Sequence, residues 1–118
     1  MSVTPAFDHI AFTVPDLNGL VDRLTGAFGM VAEFRSDQFA LVVDPASGLK
    51  LELGQSGDTD VHFRHLGFRT DDVSHAHQSL IDGGMADAIA PHRRDFARMF
   101  TSFLQQPDGL EIQLVKYD

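Results

Sequence analysis

Asp8 to Met30, DHIAFTVPDLNGLVDRLTGAFGM, is echoed once further along the chain. Setting His65 beneath His9, an offset of 56 residues, also aligns Phe12 with Phe68, Asp16 with Asp72, Leu17 with Val73 and Leu24 with Leu80. One deletion later, Gly29-Met30 meets Gly84-Met85. A self-similar period constrains the architecture more than any local propensity, because it says which residues hold equivalent places. At 118 residues the chain is one ordinary domain, and each half is too small to bury a good core alone. The halves are therefore expected to share one.

The elements inside the repeat can be read from pattern. Asp8 to Val14 is strand-like and ends at Pro15, with His9, Ala11 and Thr13 on one face. Asp16 is placed as an N-cap for a helix whose stripe is Leu17, Leu20, Val21, Leu24 and Phe28, stopped at Gly29. Three short strands follow at Val31 to Arg35, Phe39 to Val43 and Leu49 to Leu53; in the last, Lys50 and Glu52 share a face. Gly54 to Asp60 has turn composition and is expected to link the halves. The second half repeats the order: strand Phe63 to Thr70, N-cap Asp72, helix Val73 to Ile81, a stop at Gly83-Gly84. Its three strands are expected near Ala86 to Ala90, Ala97 to Leu104 and Leu110 to Val115. The result is βαβββ twice: module one over 6–54, a linker over 55–60 and module two over 61–118.

The closing strands of the two modules align as GLKLEL, Gly48 to Leu53, over GLEIQL, Gly109 to Leu114, which pairs Glu52 with Gln113. If the modules meet about a pseudo-twofold axis, His9, Glu52, His65 and Gln113 come from corresponding points on four strands and can converge. Imidazole and carboxylate are the usual ligands of zinc, iron, manganese, nickel or cobalt, and two His with one carboxylate leave positions open for water or substrate. The amide oxygen of Gln113 would be a fourth, weaker ligand. Any one of the four taken alone also reads as an ordinary strand polar group bonded to its neighbours.

Composition narrows the function. A formal charge of −8 and a pI near 5.0 argue against a nucleic-acid partner, which would need a basic stripe to replace phosphate counterions. No cysteine is present, so neither disulfides nor thiolate chemistry is available, and a reducing cytoplasm fits. The sequence has no signal-peptide pattern and no run long enough to span a bilayer, so no membrane association is expected. There is no P-loop and no serine elbow.

The segments DHIAFTVPDL at Asp8, RHLGFRTDDV at Arg64 and PDGLEIQL at Pro107 together resemble the vicinal oxygen chelate superfamily, the glyoxalase and bleomycin-resistance group that also holds extradiol dioxygenases. The resemblance covers nearly the whole chain. It implies an α+β fold in which two βαβββ modules form a curved eight-stranded mixed sheet around a cleft. It also implies a divalent metal held by the first and last strand of each module, here His9, Glu52, His65 and Gln113. Such a metal binds two neighbouring substrate oxygens and, as a Lewis acid, stabilises developing negative charge. The sequence departs from the family pattern at one place. Glyoxalase I usually carries a carboxylate where Gln113 stands, and the methylmalonyl-CoA epimerase branch uses His, Gln, His, Glu in chain order. In this chain the amide and carboxylate have exchanged halves.

Glutamine cannot shuttle a proton, so the expected base is Glu52, also a ligand, or Glu111, two residues before Gln113 on the same strand face. Arg69 and Gly67 share a face with His65: Arg69 suits a substrate carboxylate or phosphate, and Gly67 leaves room beside the metal. Phe100, with Phe96, Phe103 and Met99, can furnish an apolar wall or fill the core. His77 lies near the stripe of the second helix and reads as structural. The function expected is a metalloenzyme acting on a small oxygen-rich molecule, with isomerase or lyase chemistry preferred over dioxygenation. The alternative is a metal-free protein of the bleomycin-resistance type that sequesters a ligand, a basic one suiting its net acidity. Family members commonly dimerise, which implies a homodimer.

Overall fold

The computed structural model describes residues 4–118. Its elements run β1 (Ala6–Val14), α1 (Leu17–Phe28), β2 (Val31–Arg35), β3 (Phe39–Val43), β4 (Lys50–Gln55), β5 (His62–Arg69), α2 (Val73–Asp82), β6 (Ala86–Arg94), β7 (Met99–Gln105) and β8 (Glu111–Tyr117). The strands make an eight-stranded sheet in the order β2-β3-β4-β1-β5-β8-β7-β6. It is mixed: β1 runs parallel to β4 and β5 to β8, while the meanders are antiparallel. Two βαβββ modules are therefore present, as the repeat predicts.

By packing, the chain divides into His9–Arg64 and a second unit of His65–Asp118 together with the residues up to Asp8. In the first unit α1 covers a cluster of Val14, Leu17, Val21, Ala40, Val42 and Leu53, with Phe12, Leu20 and Leu24 packed against it. Leu17 and Val21 are wholly enclosed, which stabilises the helix by about 1.5–3 kcal/mol for each side chain. Asp16 caps α1 by accepting from the Gly19 amide at 3.0 Å, and Gly29 closes it in the left-handed conformation at φ 69°.

In the second unit α2 buries Val73 and Ala76 against Leu104 and Leu114, with Phe68, Leu80 and Phe100 packed on the cluster. Asp72 accepts from the His75 amide at 3.0 Å. The stop at Gly83-Gly84 holds, but Gly83 has φ −83° and the left-handed role passes to Gly84 at φ 111°. Residues before His9 join this unit through side chains. Phe7 packs edge-on against Phe68 with centroids 5.6 Å apart, Arg69 donates to the Phe7 carbonyl, and the Tyr117 hydroxyl donates to Asp8.

Several boundaries differ from expectation. The predicted linker loses Gly54 and Gln55 to β4. Gly54 is a point of close strand approach: a Cβ there would meet Thr13 Cγ2 at 3.2 Å. Strand β6 continues past Pro91 to Arg94 because it ends the sheet order, where a missing N–H costs no ladder bond, and its register slips on either side of Ile89. The strand expected from Ala97 starts at Met99; Asp95–Ala97 forms a 3-10 turn and Arg98 turns the chain at φ 53°. No helix among the described residues is long and apolar enough to cross a membrane.

Candidate metal centre

Register places the candidate ligands. In the first unit β1 and β4 pair with Ala11 opposite Glu52, so Glu52 lies on the face that carries His9 two residues away. In the second unit β5 and β8 pair with Gly67 opposite Gln113, and His65 stands two residues from Gly67. The two registers are the same relation repeated, with offsets of 56 on the first strand and 61 on the last. Each imidazole is thus set beside its module's acid or amide by the backbone pairing itself.

All four residues are buried: His9 and Gln113 completely, His65 at 6% and Glu52 at 7% exposure. Water cannot solvate a carboxylate so enclosed, so its charge must be met by partners within the protein. His9 Nε2 lies 3.2 Å from Glu52 Oε2. His65 holds the place equivalent to His9 in the second unit, two residues from the Gly67 that pairs with Gln113. Two donors about 2.1 Å from one ion stand roughly 3.0–3.4 Å apart for bond angles between octahedral and tetrahedral, so the His9–Glu52 spacing fits a shared cation. Two imidazoles and a carboxylate suit zinc, manganese, iron, cobalt or nickel by donor chemistry.

His65 is held from one side by Phe103, edge-on at 5.3 Å between centroids, and the Arg94 guanidinium stands 5.0 Å from the centre of the same phenyl ring. Gln113 donates through Nε2 to Thr101 Oγ1 at 2.8 Å, and the same nitrogen faces Met99 Sδ at 3.7 Å. Sequence reasoning did not single out Thr101 as part of the site; the signal available was alternation in β7, which puts Met99, Thr101 and Phe103 on one face and Phe100, Ser102 and Leu104 on the other. The same alternation corrects the apolar wall. Phe100 packs against the α2 cluster, and Phe103 takes the place beside His65.

Glu111 is half-buried at the start of β8, opposite Gln105. Gly67 is buried beside Gln113. Arg69 lies four residues beyond His65 on β5, roughly 13 Å along the strand, with its side chain 59% exposed and 3.8 Å from Asp8. It borders a cavity of about 370 Å³ in the second unit, together with Ala6, Thr70, Asp71, Lys116 and Tyr117. His77 is a structural residue, as its position predicted: its ring joins Ser102 Oγ at 2.8 Å to Asp87 at 3.0 Å. A further group, the exposed Asp58 and Asp60 with the half-buried His62, closes its own loop by hydrogen bonds from Ser56, Asp60 and His62 to Asp58. Those bonds, the Ser56 hydroxyl first, lower the Asp58 carboxyl to about 2.

Solved structures with this fold include methylmalonyl-CoA epimerase from Mycobacterium tuberculosis, 22% identical, with a TM-score of 0.78 over 100% of this chain and 93% of that one. A Streptomyces coelicolor methylmalonyl-CoA epimerase variant in complex with 2-nitronate-propionyl-CoA is 23% identical, with a TM-score of 0.73 over 98% of this chain and 99% of that one. The hypothetical protein BH1468 from Bacillus halodurans C-125 matches at 14% identity and TM-score 0.78, covering 98% and 96%. No curated protein matches the sequence. The family model described as Glyoxalase/Bleomycin resistance protein/Dioxygenase superfamily matches residues 6–114, and the chain belongs to that superfamily.

Proposed function

We propose that this chain is a metal-dependent isomerase of the vicinal oxygen chelate type, in which both modules serve one working domain. The observation that carries the reading is the buried pair of His9 and Glu52, 3.2 Å apart in the first unit, whose places are taken by the buried His65 and Gln113 in the second; the proposal is that the two pairs share one ion. Gln113 completes or hydrogen-bonds the site. A divalent ion bound there supplies a Lewis acid for two neighbouring substrate oxygens.

The protein's own groups do the rest. Removing a proton next to a carbonyl needs a base within hydrogen-bond reach. Glu52 is the carboxylate of the site, and Glu111 is the half-buried one two residues from Gln113. Phe103 walls the site beside His65 and excludes water. Arg69, exposed at the cavity in the second unit, suits the anionic far end of a substrate. The similarity in fold to methylmalonyl-CoA epimerases favours proton transfer over lyase or dioxygenase chemistry.

Reconstitution with Co(II), Zn(II), Mn(II) and Ni(II) at neutral pH tests the metal. The expected result is one ion per chain, with His9→Ala and His65→Ala each weakening binding by at least 100-fold. If the wild type takes up none, the metal-free ligand-binding reading replaces this one. Incubating the loaded protein in D2O with α-branched thioesters and hydroxy ketones tests the chemistry. Deuterium incorporation next to the carbonyl is expected, and its absence across the panel would sink the isomerase assignment. We further propose a homodimer, to be read from light scattering, and a cytoplasmic location in keeping with the cysteine-free sequence, to be read by cell fractionation.

A further inference from the structure

We propose that Thr101 is a positioning residue that fixes which end of the Gln113 side-chain amide faces the metal centre. The inference rests on the metal reading above and adds to it the chemical identity of the fourth donor.

It follows from counting protons. A primary amide has a donor end and an acceptor end, and its orientation is set by its partners. The Thr101 hydroxyl has one hydrogen, and it goes to the Leu114 carbonyl at 2.6 Å, a group that can only accept. What Thr101 Oγ1 offers Gln113 is then a lone pair, so the atom 2.8 Å away must be the Gln113 nitrogen. Met99 Sδ, a weak acceptor at 3.7 Å, faces the same nitrogen. Both amide hydrogens thus have acceptors on the Thr101 and Met99 side, and Oε1 is directed the other way. Thr101, Met99 and Gln113 are all essentially inaccessible to water, so no solvent competes for these bonds.

The other half of the repeat supports this. Leu41 pairs with Glu52 as Phe103 pairs with Gln113, and Phe39 pairs with Gly54 as Thr101 pairs with Val115. The counterpart of Thr101 is therefore Phe39, which has no hydrogen-bonding side chain. A carboxylate presents oxygen at either end and needs no such device. The hydroxyl occurs in the half that carries the amide.

The test is Co(II) binding by Thr101→Val and Thr101→Ser proteins, followed by titration and by the visible absorption of the bound ion. Serine keeps the hydroxyl and is expected to bind within about threefold of wild type with an unchanged spectrum. Valine keeps the shape and frees the amide to flip, so affinity is expected to fall about 10–100-fold, the usual cost of losing a partner of a ligand, and the spectrum to change. A folded Thr101→Val protein with wild-type affinity and spectrum overturns the role of Thr101 while leaving the metal site standing. If wild type itself binds no Co(II), the metal reading falls and this proposal with it. Should Thr101→Val not fold, proton–nitrogen NMR of wild type decides: the Gln113 side-chain NH2 is expected to keep both hydrogens, slow to exchange, in the Zn(II)-loaded protein. Rapid exchange or loss of that signal overturns the proposal.

Discussion

Beneath each helix the two halves of this protein solve one packing problem with opposite chemistry. In the first unit Val21 of α1 packs with Ala40 of β3 and Ala32 of β2 in an apolar cluster. The corresponding positions of the second unit are His77 of α2, Ser102 of β7 and Asp87 of β6, because Ala40 and Ser102 pair with Leu53 and Leu114, and Ala32 and Asp87 pair with Val42 and Leu104. There His77 bridges Ser102 and Asp87 by two hydrogen bonds. The same backbone accepts an oily contact or a polar chain, but the polar chain is conditional. It works only while every buried member keeps its partner.

That comparison can be broken by mutation. Changing His77→Val alone leaves the enclosed Ser102 hydroxyl without its imidazole and is expected to destabilise the protein by about 1–3 kcal/mol in urea unfolding. Changing His77→Val, Ser102→Ala and Asp87→Ala together copies the first half and is expected to recover to within about 1 kcal/mol of wild type, since removing all partners of a polar network can be nearly neutral. A triple variant as weak as the single one would mean that the halves are not interchangeable there.

The helix caps give a smaller effect. Asp16 and Asp72 cap at equal distance, yet the α1 terminus has a second acceptor, because the Gln55 side-chain oxygen takes the Leu17 amide at 3.1 Å. Asp72→Ala is expected to cost about 1 kcal/mol, and Asp16→Ala less, as measured by thermal unfolding. Equal losses would show that Gln55 adds nothing to the cap. The smallest effect belongs to the exposed loop at Asp58, whose carboxyl is lowered from 3.8 to about 2 by Ser56, the Asp60 amide and His62. A depressed carboxyl contributes stability above its unfolded value and loses it as pH falls through the folded one. The loop is therefore expected to loosen between about pH 4 and 2, followed by carboxyl NMR titration of Asp58. A midpoint near 3.8 would show that the hydrogen bonds are not held in solution.

The repeat made most of this legible. His9 and His65, the two aspartate caps and the exchange of Glu52 for Gln113 can all be read by laying one half over the other. Pairwise alignment could not show what lies outside the shared pattern. Thr101 corresponds to Phe39 in the repeat, so equivalence gave no reason to look at it, and its role depends on where a single hydroxyl proton goes. Phe100 and Phe103 are alike in composition and differ only in which side of β7 they occupy, and alternation separates the two sides without saying which one meets His65. Gly54 looked like a turn because glycine marks close approach as well as bends.

The hydrogen bond between Tyr117 and Asp8 joins residues 109 positions apart. During synthesis at about 5–20 residues per second, Asp8 emerges roughly 5–20 s before the hydroxyl it will meet. The residues that complete the second unit are thus made well before it and must wait for Tyr117. A ribosome stalled before Tyr117 would leave that unit without this contact.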